Sequence, residues 1–483
     1  MSADATLRAT SILRRLTVNA ASLAAGGVIA QVCFIAVEAL VARRLGSASY
    51  GVLSTAQALA LTSLHFFELG MSWKIIQDGS REPSAIAPLL GTTFVLKVIF
   101  AAIVYAATLF ILPLAGYDAA VVSFFAVFYG YAVLLALQDS LAGANAARQQ
   151  MHINALYQAA TPVAVLGLVA LMTTGVPSLA AVGWAYVLGS LLVTSIWTWQ
   201  TFRTEKPQVE LSRTPEILRG SFLYGLGGLL FQISFRIEVF ALSLLRGMAE
   251  VGLFAAAEKL TDIGVKVALL GSRVAAPVLF KQSRHDVAAY RRSCKIVIRG
   301  ASVLGAAMGI VLAAAAEPLM VGLFGAAFRE SAVILAFLAP SVALRFATAG
   351  VRLALTSSDQ HLRRVGGLAG GVAVAAACNM ALVPGFGAKG AAWARFLGEV
   401  AQIIVLLARH ALPLPRGPLL WWMGGPLLLG AMAYGAARVV TQYAWAQLAL
   451  ALFVYAVVLT ATGCVRPAEI RELIKVFRQS RQA

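Results

Sequence analysis

The chain has 483 residues, of which 60% are hydrophobic and only 12% are charged, and its formal net charge is +18. Soluble domains are about 45–50% apolar and about 25% charged, so this composition excludes a soluble protein and predicts an integral membrane protein. The basic residues cluster in short loops between apolar runs, which is typical of cytoplasmic loops, and no nucleic-acid partner is predicted.

With about 20 apolar residues taken as one crossing, the sequence predicts about fourteen transmembrane helices. The runs do not alternate between polar and apolar residues as the strands of a membrane barrel do, so the predicted fold class is all-α. The predicted spans are 18–41, 50–71, 86–112, 119–143, 154–174, 179–201, 217–245, 251–279, 298–318, 331–355, 364–384, 388–409, 418–439 and 444–464.

Loop charge predicts the orientation of these helices. Most lysines and arginines outside the spans fall on the side of the N-terminus, so both termini are expected in the cytoplasm. The tail, residues 465–483, carries Ile470, Leu473, Ile474 and Phe477 at helical spacing between basic residues. This pattern favours an amphipathic helix on the inner membrane surface, with a soluble tail helix as the alternative.

An internal repeat organises the chain. Gly46 and Gly51 recur as Gly247 and Gly252, 201 residues later in each case, and the Trp184 segment recurs around Trp393. We therefore expect two related six-helix bundles of the same orientation, residues 1–205 and 211–410, followed by two extra helices in 411–464.

The eighth predicted span carries an unusual number of charges for a membrane helix. Lys259, Lys266 and Arg273 are spaced by seven residues, so they form a stripe along one side of the helix. A charge in hydrocarbon costs several kcal/mol unless it faces water or a partner, so the stripe predicts a cavity for an anion. The candidate substrate-binding residues are Lys259, Lys266, Arg345, Arg395 and Arg236. Internal salt bridges, such as Asp262 with Lys266 or Arg395 with Glu399, are the alternative.

Carboxylates in the spans of the first half are candidates for coupling transport to H⁺ or Na⁺. They are Glu38, Glu68 and Asp139. Each lies near the end of its span, so a solvated position at the membrane interface is the competing interpretation.

No motif indicates hydrolysis, a cofactor or a metal. There is no GxxxxGK[ST] loop, the five histidines are isolated, and the four cysteines form no CxxC pair. We therefore expect no enzyme, no cofactor and no metal site, and transport would use an ion gradient, the supply of substrate, or both.

Four segments resemble the polysaccharide and lipid-linked oligosaccharide flippases of the Wzx type, in the superfamily that also holds the multidrug antiporters. They are 42–52, 251–260, 323–328 (LFG..F) and 379–392 (N..L.P..G..GAA). The adjacent pair of Arg236 and Glu238 departs from these proteins, which often have an acidic residue there without the arginine.

The resemblance implies transport of a polyprenyl-pyrophosphate-linked oligosaccharide across a bacterial inner membrane, by alternating access, for surface polysaccharide or lipopolysaccharide synthesis. The pyrophosphate would meet the basic candidates named above. Membrane lipids, a polysaccharide polymerase and chain-length machinery are the implied partners. A cation-coupled multidrug antiporter of the same superfamily is the alternative, although such a protein needs carboxylates facing its substrate.

Overall fold

The computed structural model describes residues 3–174, 178–409 and 414–464, and in these ranges the chain is helical and contains no strand. By length and composition, eleven of the described helices can cross a membrane. Helices suit the bilayer because they satisfy every backbone hydrogen bond within one segment. The predicted all-α, polytopic membrane fold is confirmed.

The chain divides into two compact units, Met1–Gly252 and Leu253–Ala483. The described residues of the first unit form seven complete helices and the first turn of an eighth. Its helices are α1 (Ala3–Glu68), α2 (Met71–Arg81), α3 (Ile86–Leu114), α4 (Ala119–Ala147), α5 (Met151–Met172), α6 (Leu179–Thr204) and α7 (Thr214–Leu245), with 3₁₀ turns at Pro83–Ala85 and Leu211–Arg213.

In this unit α1 packs against α3, α4, α5 and α7, and α4 packs against α2, α3 and α6. Side chains from α2 to α7 fill one apolar core, in which Tyr157 stacks on Trp197 with ring centroids 4.5 Å apart. Many apolar side chains outside the core are exposed, as expected for surfaces that face lipid.

In its described residues, the second unit contains the remainder of the eighth helix and six more helices. They are α8 (Met248–His285), α9 (Val287–Ala314), α10 (Ala316–Phe324), α11 (Ser331–Ser357), α12 (His361–Arg409), α13 (Arg416–Val440) and α14 (Ala444–Ala461), with a 3₁₀ turn at Ala326–Phe328. Helix α9 packs against α11, α13 and α14, and α11 also packs against α12.

At two places where the sequence predicts a loop between spans, the structure has a helix with a bend at a single glycine. Gly46 in α1 and Gly387 in α12 have positive φ angles, 76° and 55°, and each interrupts an otherwise continuous helix. Glycine tolerates these angles because it has no Cβ. The two segments of α12 then pack closely, since a Cβ on Gly371 would lie 3.0 Å from the carbonyl oxygen of Gly398. Each of these two helices therefore holds two of the predicted spans.

Helix α8 carries Glu258, Lys259, Asp262 and Lys266 in an otherwise largely apolar segment. Helix α9 begins at Val287 rather than near residue 298, so part of the predicted basic loop is helical. The Asp286 side chain caps this helix by accepting a hydrogen bond from the Ala289 backbone N–H at 2.9 Å.

The repeated glycines Gly51 and Gly252 make a reciprocal backbone contact. A Cβ on Gly51 would lie 1.8 Å from the carbonyl oxygen of Met248, and a Cβ on Gly252 would lie 1.9 Å from that of Ser47. Ser47 and Met248 are separated by the same 201 residues as the two glycines. Two related halves would produce such a contact, while the repeat and its boundaries stay predictions. The predicted amphipathic tail lies outside the described residues.

Candidate functional site

Glu38 is held in a buried network of hydroxyl and amide donors in the first unit. Tyr50 donates a hydrogen bond from its hydroxyl to Glu38 Oε2 at 2.7 Å, and Gln57 donates to Oε1 at 3.2 Å. The Tyr186 hydroxyl donates to the same Oε1 at 3.4 Å, and the Tyr131 ring lies 5.2 Å from the Tyr186 ring. Because Glu38 is only 4% exposed, a solvated interface position is wrong for this residue.

Glu68 is also buried, and it lies at the end of α1 against the start of α2. Its carboxylate accepts hydrogen bonds from the backbone N–H groups of Gly70 at 2.6 Å and Ser72 at 2.8 Å. Gly70 has a φ angle of 78°, which turns the chain so that both N–H groups point at the carboxylate. A solvated position is wrong for Glu68 as well.

Lys97 interacts with Glu68 and with Asp139, the third coupling candidate. Its ammonium group lies 3.4 Å from Glu68 Oε1 and donates hydrogen bonds to Ser72 Oγ and the Ala136 carbonyl oxygen, each at 2.8 Å. Asp139, one turn beyond Ala136 on α4, interacts electrostatically with both Lys97 and Glu68 and is exposed. Glu68 and Asp139 thus belong to one cluster, and Glu38 belongs to a separate network.

Lys97 is not among the residues for which the sequence predicts a role. The signal that could have found it is a lysine in the middle of an apolar span, in a half of the chain that is rich in span carboxylates.

In the second unit, Arg395 on α12 pairs with Glu258 on α8. The guanidinium Nη2 donates to Glu258 Oε1, and the two side chains are only 2% and 1% exposed. The same guanidinium lies 5.3 Å from the ring centre of Phe254, one turn before Glu258 on α8. A cation over an aromatic face is attracted by the ring quadrupole, so α8 holds Arg395 by two contacts.

Arg345 on α11 pairs with Glu399, four residues after Arg395 on α12. Its Nε donates to Glu399 Oε1 at 2.5 Å, and the side chains are 7% and 9% exposed. The suggested local pair of Arg395 with Glu399 is therefore wrong, because each residue finds its partner on another helix. Contact of Arg345 and Arg395 with an anionic substrate stays a prediction.

The basic stripe of α8 differs from these buried pairs. Lys266 is exposed and Lys259 is half-buried, and both lie in one continuous helix. Asp262, between them, is half-buried, and all three residues have polar or electrostatic partners. Arg236 on α7 is half-buried, whereas Glu238 is buried, and both have partners too.

Within the described part of the chain, no group of three or more histidines, cysteines or acidic residues is arranged to hold a metal ion. The four cysteines are free thiols.

Three solved structures that are similar to this chain are described as a flippase or as transporters. The lipid II flippase MurJ in an inward closed conformation matches with a TM-score of 0.76 and 12% identity, over 90% of this chain and 97% of the other. An inward-facing multidrug resistance MATE family transporter matches at 0.66 and 15% identity, over 78% and 93% of the two chains. The Vibrio cholerae MATE transporter VcmN, in its bent form, matches at 0.55 and 12% identity, over 86% and 99%.

These likenesses show the fold, which is that of a polytopic membrane protein folded like the transporters named above. The model of the polysaccharide biosynthesis protein family matches residues 16–283, more than half of the sequence. The chain belongs to this family, and its resemblance to the polysaccharide branch of the superfamily is confirmed. None of the curated proteins matches it.

Proposed function

We propose that this chain moves a polyprenyl-pyrophosphate-linked oligosaccharide from the cytoplasmic to the outer leaflet of a bacterial inner membrane. The family supports a role in polysaccharide synthesis, and the fold is shared with a protein described as a lipid II flippase. The transported molecule would contribute to surface polysaccharide or lipopolysaccharide, and alternating access would move it.

The observation that carries the proposal is the basic stripe of α8, where Lys266 is exposed and Lys259 is half-buried inside a membrane protein. Cations in a medium of low dielectric constant bind phosphate strongly, so this stripe suits the pyrophosphate of a lipid carrier. Arg345, Arg395 and Arg236 add positive charge, and in this proposal the first two exchange their carboxylate partners for the substrate.

The proposal includes an orientation and partners. Both termini lie in the cytoplasm, in accordance with the excess of lysine and arginine in the loops on that side. Membrane lipids surround the exposed apolar side chains, and a polysaccharide polymerase with its chain-length machinery consumes the product. The energy comes from the supply of substrate or from H⁺ or Na⁺, with Glu38, Glu68 and Asp139 as coupling groups.

The test is charge reversal on α8, with Lys259→Glu and Lys266→Glu in one variant. We expect surface polysaccharide to disappear and the lipid-linked precursor to accumulate, because two anions would repel the pyrophosphate. Surface polysaccharide is measured by immunoblotting in a strain that lacks the natural gene, together with the amount of protein in the membrane.

Two matched variants separate charge from folding. Lys259→Arg with Lys266→Arg keeps the charges and should restore polysaccharide, and Lys389→Glu reverses an exposed lysine beside the bend in α12 and should have no effect. Normal polysaccharide from the double charge reversal, at normal protein levels, would show that the proposal is wrong.

The second candidate is a cation-coupled multidrug antiporter. The likeness to MATE transporters and the carboxylates of the first unit favour it. Loss of drug resistance in a deletion strain, with unchanged surface polysaccharide, would select this function instead.

A further inference from the structure

Lys97 is a fully buried cation inside a membrane helix. Its relative exposure is 0%, and it lies eleven residues after Ile86, where α3 begins. At 1.5 Å per residue this is about 16 Å along a helix that is long enough to cross a bilayer. An ammonium group buried in such a helix requires compensating oxygens and charges around it.

Three oxygens from three different helices meet the ammonium group. They are Glu68 Oε1 of α1 at 3.4 Å, Ser72 Oγ of α2 at 2.8 Å and the Ala136 carbonyl oxygen of α4 at 2.8 Å. A lysine ammonium has three N–H donors, so these three oxygens match its capacity. Hard cations such as sodium bind through carboxylate, hydroxyl and carbonyl oxygens of this kind. Lys97 therefore takes the position that a bound sodium ion would need.

The two carboxylates of the cluster are held differently. Glu68 is buried and accepts two backbone N–H bonds in addition to its contact with Lys97, an arrangement that stabilises the ionised form. Asp139 has an exposed side chain and acts on Lys97 and Glu68 through electrostatic interaction. Asp139 is thus the member of the cluster that can exchange a proton.

The balance of charges in the cluster favours the binding of one proton. With both carboxylates ionised and the ammonium charged, the cluster of Glu68, Lys97 and Asp139 has one negative charge in excess. A proton on an Asp139 oxygen forms one O–H bond, makes the cluster neutral and leaves the Lys97–Glu68 pair intact. Neutral groups cost less inside a bilayer than an excess charge, so the protonated cluster suits a state that is closed to water.

The other groups around Asp139 do not change this balance. Helix α4 packs against α1, α2, α3, α5 and α6, and the charged groups that act on Asp139 are Glu68 from α1 and Lys97 from α3. On α2, Lys74 pairs with Asp78 at 2.8 Å. The side of α4 at Gln138 meets neutral hydroxyls of α5 and α6, namely Thr161, Ser190 and Thr194.

We propose that Asp139 binds one coupling proton, and that Lys97 is a built-in counter-cation that excludes sodium from the cluster. The inference rests on the proposed transport function only for the use of the proton. Gain and loss of the proton change the cluster charge between neutral and negative, and this change biases the protein between states that differ in access to water. Lys97 is a positioning residue in this scheme.

The test measures protonation directly in the purified, full-length protein without any glycan. Infrared difference spectra between alkaline and acidic pH record the carbonyl band of protonated carboxyl groups. We expect Asp139→Asn to remove one carboxyl component from the wild-type band, whereas Glu317→Gln, at a carboxylate of α10 outside the cluster, leaves that component in place. Replacement of potassium by sodium should leave the wild-type spectrum unchanged.

The variant Lys97→Met tests the counter-cation. Without the ammonium group, two neighbouring carboxylates remain, and we expect both to be protonated, so that the band gains a second carboxyl. If the Lys97→Met variant does not accumulate in the membrane, the proposal is tested by the Asp139→Asn spectrum and by the replacement of potassium with sodium. An unchanged band in Asp139→Asn, or a wild-type band that sodium suppresses, would overturn the proposal.

These outcomes are independent of the proposed function. Protonation of Asp139 together with normal polysaccharide from the α8 charge reversal would remove the flippase proposal and leave this inference standing. If Asp139 does not bind a proton and the α8 charge reversal abolishes polysaccharide, only the proposed proton site is wrong.

Discussion

In the first unit one buried lysine, Lys97, lies with two carboxylates, Glu68 and Asp139, whereas in the second unit the buried arginines Arg345 and Arg395 each have a carboxylate. The excess charge in the first cluster is negative. In the second unit Arg352 is half-buried and acts on Arg345 and Glu399, so the excess there is positive.

The difference shows two uses of ionisable groups in a membrane protein. A buried pair of equal and opposite charges joins helices and has little reason to change its protonation. A cluster with one carboxylate too many is neutral only when a proton is bound, so its charge depends on water and pH. The acidic excess suits a coupling proton, and the basic excess suits an anionic substrate.

The largest loss of folding free energy is expected when a buried ion pair of the second unit is broken. Arg395→Leu leaves Glu258 in an apolar environment without its arginine, and removal of one partner of a buried ion pair costs about 3–5 kcal/mol of folding free energy. Unfolding of the purified protein in detergent measures the loss.

The control for that variant is the double substitution Arg395→Leu with Glu258→Leu. Because it removes both charges, it should recover most of the lost stability. Equal stability of Arg395→Leu and the natural protein would contradict the role of this pair.

A matched change of carboxylate to amide compares the two regions directly. Glu399→Gln weakens a charge-assisted bond to Arg345 and should cost about 1.5–3 kcal/mol. Asp139→Asn neutralises the excess charge of its cluster and should cost less than about 1 kcal/mol. The same unfolding measurement applies to both, and similar losses would mean that the two regions are not distinguished by charge balance.

The smallest effect is expected at the surface. Arg329 and Glu317 lie 3.1 Å apart, but their side chains are 70% and 61% exposed. Exposed pairs contribute about 0–1 kcal/mol, so Arg329→Ala should leave the unfolding free energy almost unchanged. A loss as large as that of Arg395→Leu would show that burial does not set the strength of these pairs.

Much of the fold followed from local pattern. Each predicted span falls largely within a described helix, because a run of apolar residues long enough to cross a bilayer has few other ways to satisfy its backbone. Helix α9 was the main difference, since its first turns carry charged residues that hydropathy assigns to a loop. Helix formation does not require apolar residues, and the Asp286 cap favours a start at Val287.

The candidate site was only partly predictable. The stripe of Lys259 and Lys266 depends on helical periodicity within one segment, so the sequence alone indicates it. The burial of Glu38 and Glu68 depends on residues that are distant along the chain, including Tyr186 and Lys97. Their positions near the ends of predicted spans therefore suggested that they are solvated. In the folded protein, the neighbouring helices bury both carboxylates.

The sequence by itself determined that this is a helical membrane protein with a basic stripe on α8. These properties depend on composition and on spacing. Only the tertiary structure decided that Arg395 pairs with Glu258, that Arg345 pairs with Glu399 and that Lys97 joins Glu68 to Asp139. Such pairs form between helices, and the partner of a buried charge depends on which helix faces it.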